Sequence, residues 1–297
     1  MMDIRSMACF VAVAEELHFR RAAERLHLTQ PSLSQRIRAL EFEVGTDLFA
    51  RDRRSVALTP AGQAFLEPAR RAIENAKVAK EQALRAMRGE VGRLRLGFTV
   101  IAFYGVLPEA VRAFRHQYPQ VEVELFEMNS PSLETALMTG TIDLAVLHPP
   151  LANPDLAIRS LPDEPLVLAL PSGHPLASRA EIRIADLAEE PLLIAPRSIG
   201  PSIYDRVIAL FQAEGISPHI VQEVTPMTTL AGLVAAGVGT GFVTAGLSRL
   251  PRPGVSYRPV TPTPPSLPMA ASWLKPALSA SGQRFLETVS TLIGRSA

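Results

Sequence analysis

FRRAAERLHLTQPSLSQRIRALEFEVGTDLFARDRRSVALTPAG, residues 19–62, decides the fold of the N-terminal part. Within it Thr29 can cap a helix that starts near Gln30, and Pro31 is tolerated in the first turn, where its missing N–H has no partner to lose. Leu33, Ile37 and Leu40 stand at i, i+4 and i+7, so at about 100° per residue they form one stripe for burial. Pro31, Gln35 and Arg38 then face the other way, flanked by Ser32, Ser34 and Arg36. That face has no large aliphatic member, and its donors and acceptors suit base edges and phosphates: Gln pairs with adenine, Arg with guanine, Ser with either. The preceding helix, Phe19 to Leu26, offers Ala22, Ala23 and Leu26 for close packing, with Leu28 plugging the turn.

Beyond Gly45, the stretch Leu48 to Thr59 reads as a short strand pair with an arginine tip. Beside a groove-reading helix such a wing lets Arg51, Arg53 and Arg54 reach phosphates or the minor groove. A polar helix face alone is more often merely solvated; the second basic element turns the reading toward DNA. Phe10–Glu15, Ala22-Ala23-Glu24-Arg25-Leu26, Thr29–Ser34, Ile37, Leu40-Glu41, Gly45, Leu48-Phe49, Arg51, Arg54 and Leu58-Thr59-Pro60-Ala61-Gly62 together resemble the winged helix-turn-helix of LysR-type transcriptional regulators. The resemblance implies groove contacts from Gln30, Pro31, Ser32, Ser34, Gln35, Arg36 and Arg38, and backbone contacts from Arg51, Arg53 and Arg54.

Charge is divided accordingly. The net charge is +1, but residues 1–95 hold 17 Lys and Arg against 12 Asp and Glu, and the remainder 13 against 17. The basic part is the part that would meet DNA. With 297 residues the chain permits two or three domains. Its single cysteine, Cys9, lies in an apolar run, so no disulfide framework or multi-cysteine metal site is available within one chain, and no metal or cofactor is expected. The N-terminus lacks the order of a signal peptide and no apolar run is long enough to span a bilayer, which points to a cytoplasmic protein without membrane contact.

Pro60 to Met87 reads as a long helix with a broken apolar stripe of Phe65, Ala69, Ala72, Ile73, Ala76, Ala79, Ala83 and Leu84, with Pro68 expected to remove one backbone bond. It resembles the family's linker helix, and its shortage of large residues calls for a partner, most simply the same helix of a second copy. From Arg93 onward strands and helices alternate: strand 94–99, helix 103–117, strand 121–127, helix 130–139, strand 144–147, and a second such series from Leu166. Alternation predicts a mainly parallel sheet. A Pro-rich stretch near 259–268, followed by strand 269–273 and helix 282–293, suggests two lobes joined by crossings near 161–166 and 266–268.

This region resembles the LysR-type effector domain through Leu96-Gly97, Leu107-Pro108, Tyr118-Pro119, Gly140–Ala145, His174-Pro175-Leu176 and Val234–Gly239. The expected architecture is an all-α winged helix-turn-helix at 1–60, a linker and dimerisation helix at 61–92, and a two-lobed α/β domain of periplasmic-binding-protein type at 93–297. Lobe I takes 93–162 and 268–297, and lobe II 163–267. The resemblance implies a small-molecule co-inducer between the lobes and a homodimer or homotetramer on promoter DNA, with RNA polymerase as a further partner.

Ser130, expected as a helix cap before Pro131, matches a hydroxyl that regulators of aromatic degradation use to hold a carboxylate. Thr99, Ile101, Phe103, Asn129, His148, Arg197, Ile203, Met227 and Thr228 match further ligand-binding positions of the family. Ile101 replaces a hydroxyl of those relatives and cannot make its hydrogen bond, so one carboxylate with an apolar or aromatic body is the expected ligand. Two rival classes find less support. The chain has no HExxH, GxSxG or GxxxxGK motif for an enzyme, and Gly237–Gly241 follows a helix and enters a strand, the reverse of a dinucleotide loop. A free-standing solute-binding module would not carry the DNA-reading head.

Overall fold

The computed structural model describes residues 2–51 and 56–296. The chain divides into two compact units, Met1–Arg85 and Ala86–Ala297.

The first unit runs α1 (Ile4–Glu16), α2 (Phe19–Arg25), α3 (Gln30–Val44), β1 (Phe49–Arg51), β2 (Val56–Leu58) and α4 (Pro60–Met87). Thr29 accepts the Ser32 N–H at 3.4 Å and so caps α3, which stops at Gly45 in the left-handed region (φ 83°). Leu33, Ile37 and Leu40 are buried against Phe10, Val13, Ala22 and Ala23. Phe10 holds the centre, its ring 5.2 Å from Phe49 and 5.1 Å from Phe65. Gly62 lies so close to the Leu48 carbonyl that a Cβ would collide with it, which gives the glycine of LTPAG its reason. The long helix α4 continues through Pro68 and buries Gly62 and Ala69.

The second unit holds two five-stranded sheets. The first is built from β3 (Val91–Phe98), α5 (Val100–Tyr104), α6 (Leu107–Gln117), β4 (Gln120–Glu127), α7 (Ser130–Met138), β5 (Leu144–Leu147) and β6 (Leu156–Glu164). The chain then builds the second sheet with β7 (Leu166–Pro171), β8 (Ile182–Arg183), β9 (Pro191–Ile194), α8 (Pro201–Ala213), β10 (His219–Glu223), α9 (Met227–Ala235), β11 (Thr240–Thr244), α10 (Ala245–Ser248), β12 (Val255–Arg258) and β13 (Val260–Thr261). It returns with β14 (Leu267–Leu274) and α11 (Ala280–Ser296). Strand orders are β4-β3-β5-β14-β6 and β10-β9-β11-β7-β12, with β8 and β13 paired separately. Each sheet packs helices over its own apolar core, around Phe114 and Phe285 in the first and Phe211 and Phe242 in the second.

Two local expectations are corrected. The sheets are mixed, not mainly parallel: β14 is antiparallel to β5 and β6, and β7 to β11 and β12. A strand that has just crossed from the other lobe enters from the side where its neighbours leave, so it must run against them. The helix expected over 103–117 is two helices, α5 and α6, interrupted at Gly105, where a Cβ would meet the Glu164 carboxylate and displace it.

Candidate functional site

Crossing twice between lobes turns the carboxyl ends of the parallel strands of both sheets toward one another. A cavity of about 940 Å³ lies there, lined by the residues that follow β3, β4, β5, β9 and β10. This is where an open α/β sheet offers its ligand crevice. Helices α5, α7, α8 and α9 all present their first residues to it: Val100 and Ile101, Ser130 and Pro131, Pro201 and Ser202, and Met227. First-turn N–H groups lack partners within their helix, so these ends favour acceptors and negative charge.

At the first lobe's wall, Asn129 rather than Ser130 caps α7, accepting the Ser132 N–H at 2.9 Å. The helix starts one residue earlier than the sequence reading placed it, so Ser130 is its first residue, Pro131 its second, and the cap falls to Asn129. Ser130, the first helical residue, accepts the His148 backbone N–H at 3.3 Å, which leaves its own O–H to donate. His148 is buried at the end of β5. Its Nδ1 lies 2.9 Å from the Pro268 carbonyl, an acceptor only, so Nδ1 carries the proton and Nε2 accepts from the Thr99 hydroxyl at 3.1 Å. Burial pushes the imidazole below its ordinary value, partly offset by the Pro268 bond. Thr99 also receives the Ala102 N–H at 3.4 Å. The result is a fixed neutral imidazole behind a donating serine.

Of the sequence-derived ligand residues, Thr99, Ile101, Asn129, Ser130, His148, Ile203 and Met227 line this cavity. Phe103, Arg197 and Thr228 are not among its lining residues. Phe103 stacks on Phe98 with ring centroids 5.1 Å apart. Arg197 forms a bidentate pair with Asp205 at 2.7 and 3.1 Å, on the surface. Thr228 hydrogen-bonds Tyr104, whose phenol is raised first by burial. The sequence reading did not find Glu127, Glu134 and the apolar Met128, Met138 and Ile199 at this cavity. Only Glu127 and Met128, next to Asn129, carried a positional hint.

In the first unit the α3 residues divide by exposure. Gln30, Pro31, Gln35 and Arg38 are exposed, whereas Ser32, Ser34 and Arg36 are half-buried. Hydrogen bonds from the Ser6 amide and hydroxyl hold the Asp3 carboxyl low at the start of α1, and the charge of Arg36 adds to them. Arg53 and Arg54 lie outside the described residues, and Arg51 pairs with Val56 through its backbone. Two interactions escaped the sequence reading. Glu41, buried on α3, accepts the Leu48 and Phe49 N–H groups at 3.0 and 3.1 Å and so ties the wing to the helix. Glu15 joins Arg25 and Arg70 at 2.8 and 2.9 Å, fastening α2 and α4 to α1. Those bonds hold its carboxyl below the usual range and engage two cations within the unit.

Among the described residues no three or more His, Cys, Asp or Glu side chains could hold a metal ion, and no helix is long and apolar enough to cross a membrane.

A family model described as "LysR substrate binding domain" matches residues 87–292, and one described as "Bacterial regulatory helix-turn-helix protein, lysR family" matches residues 4–63. The HTH-type transcriptional regulator AlsR of Bacillus subtilis (strain 168) is 41% identical over 257 residues, covering 86% of this chain and 85% of that protein. The crystal structure of CbnR, a LysR family transcriptional regulator, superposes with a TM-score of 0.87 at 32% identity, over 97% of this chain and 100% of that one. Full-length CbnR complexed with its target DNA gives 0.83 at 31% identity, over 98% and 99% of the two chains. The effector binding domain of BenM with its effector benzoate gives 0.62 at 25% identity, over 69% of this chain and 93% of that one.

Proposed function

The chain belongs to the LysR family of transcriptional regulators, a helix-turn-helix protein with an effector domain and not an enzyme, and we propose that its co-inducer is a small organic acid with an apolar or aromatic body. The observation that carries this reading is the wall of the cavity at the start of α7. There the Ser130 hydroxyl, which accepts from the His148 N–H, stands ready to donate beside the Ser130 backbone N–H, Pro131 having no N–H and that of Ser132 being engaged by Asn129. A carboxylate fits that wall, and the predominantly apolar remainder takes the body. BenM, of similar fold, binds benzoate.

DNA recognition is assigned to Gln30, Pro31, Ser32, Ser34, Gln35, Arg36 and Arg38 in the groove and to Arg51, Arg53 and Arg54 on the backbone. The full-length CbnR complex with its target DNA supports the same kind of partner for this chain. We assign 1–60 to DNA binding, 61–92 to dimerisation and 93–297 to effector binding, with the lobes as expected from the sequence. The long helix α4 buries few of its own residues, so a second copy is its natural cover, giving a homodimer or homotetramer. RNA polymerase is the further partner, in the cytoplasm.

The test is Ser130→Ala in the full-length protein. Benzoate and related acids should raise the melting temperature of wild type and lose at least about tenfold in affinity with the variant, while operator affinity without acid stays the same. An unchanged acid titration removes Ser130 from the site.

A further inference from the structure

The cavity is large for a single ring with a carboxylate: its volume of about 940 Å³ is that of a site for a drug-sized ligand. Among the described residues that line it there is no Phe, Tyr or Trp, so a planar ring has no aromatic face to stack on. Its apolar side chains are aliphatic or thioether, Val100, Ile101, Met128, Met138, Ile199 and Leu267 among them. Methionine is unbranched and polarisable and moulds itself to a flexible chain. The second lobe contributes Ser202 and Thr225 together with apolar Ala195, Ile203 and Met227. Those last three also line a void of about 10 Å³ in the second lobe's core, and the rest of its lining, Val207, Leu230 and Phe242 included, is apolar as well. Such a void is about the size of one water molecule but offers a water no side-chain partner. It suits the end of a hydrocarbon chain and is far too narrow for a ring.

We propose that the apolar body of the co-inducer is an unbranched alkyl chain whose end passes Ile203 and Met227 into the void behind them. The inference rests on the organic-acid reading above and narrows the body from apolar or aromatic to linear aliphatic. With its carboxylate at Ser130 on the first lobe, a short acid leaves the second lobe's apolar side chains uncovered. Each further methylene buries more of them and of itself, and a linear chain reaches them end-on. Ile203 and Met227 are buried and line both the cavity and the void, so they form the partition between the two. Met227 is flexible along its whole length and can swing aside, whereas β-branched Ile203 is stiff. A terminal methyl then supplies the contacts that the lining of the void lacks. A branch or a ring meets the same partition broadside and stops there.

The test titrates full-length protein calorimetrically with butyrate, hexanoate, octanoate and decanoate, with valproate as the branched isomer of octanoate, and with benzoate. Wild type should gain about fourfold in affinity per added methylene until the chain end fills the void, and should bind octanoate at least about tenfold more tightly than valproate or benzoate. Val207 lines the void but not the cavity, so Val207→Leu, which fills the void from behind, should erase the gain of the last carbons, about fourfold or more, with butyrate and benzoate unchanged. Phe242→Leu enlarges the void and should move the tightest ligand to a longer chain, which keeps the test decisive should the first variant fold poorly. Octanoate and valproate bound equally well, or a chain-length profile untouched by both variants, overturns the alkyl-chain assignment. If benzoate then still binds and Ser130→Ala weakens it, the organic-acid reading stands. No saturable binding by any of these acids overturns that reading, and the alkyl chain with it.

Discussion

Replacing His148 by Gln should change how stability depends on pH. The wild-type ring is buried, with Nδ1–H committed to Pro268 and Nε2 accepting from Thr99. A proton on Nε2 would require the Thr99 hydroxyl to turn around and a charge to sit in the first lobe's interior, so burial keeps the folded value below the ordinary 6.5. Because the folded value is the lower one, the unfolded chain takes up the proton first as pH falls. Stability contributed by this residue is therefore flat well above 6.5 and declines below it, until the folded ring also titrates. Between about pH 7.5 and about pH 5.5 the loss is at most about 1.4 kcal/mol, the integral for one proton bound only by the unfolded state. Glu164 at the lobe crossing gives the opposite slope: burial raises its carboxyl, so its contribution falls as pH rises. It is common to both proteins and cancels in their difference. Urea unfolding of the full chain followed by Trp273, the sole tryptophan and a residue of β14, reports on the lobe that holds His148. The difference between wild type and His148→Gln should shrink toward acid pH. A pH-independent difference, or one that grows toward acid pH, would refute the neutral, locked imidazole.

Gln35→Ala should cost about 1–3 kcal/mol of discrimination on the operator and leave affinity for scrambled duplex unchanged, as read by fluorescence anisotropy; equal losses on both would place Gln35 off the base edges. Glu41→Ala strands the buried N–H groups of Leu48 and Phe49 and should destabilise the first unit by about 2–5 kcal/mol. Glu41→Gln, whose amide oxygen can still accept from both, should lose less than half as much by thermal unfolding, and identical losses would show that side-chain volume rather than hydrogen bonding is at stake.

The helix-turn-helix was legible because its information is local. Leu33, Ile37 and Leu40 encode a buried stripe by spacing, Thr29 and Pro31 a helix start, and Gly45 a stop, all within one helix and its flanks. Strand and helix alternation likewise announced an α/β second half, because periods of two and of about 3.6 residues can be read without a partner. Strand direction could not be read in this way, since it depends on which lobe the chain has just left.

The sequence by itself thus determined the element types and the family. Tertiary structure alone decided the chemistry of the cavity. It paired Arg197 with Asp205, gave the α7 cap to Asn129 and the donating hydroxyl to Ser130, and locked one tautomer of His148 between groups 49 and 120 residues away along the chain. Side-chain periodicity specifies which face a residue occupies. Which hydrogen bonds it makes, and so which proton or charge it offers a ligand, depends on groups that only folding brings within about 3 Å.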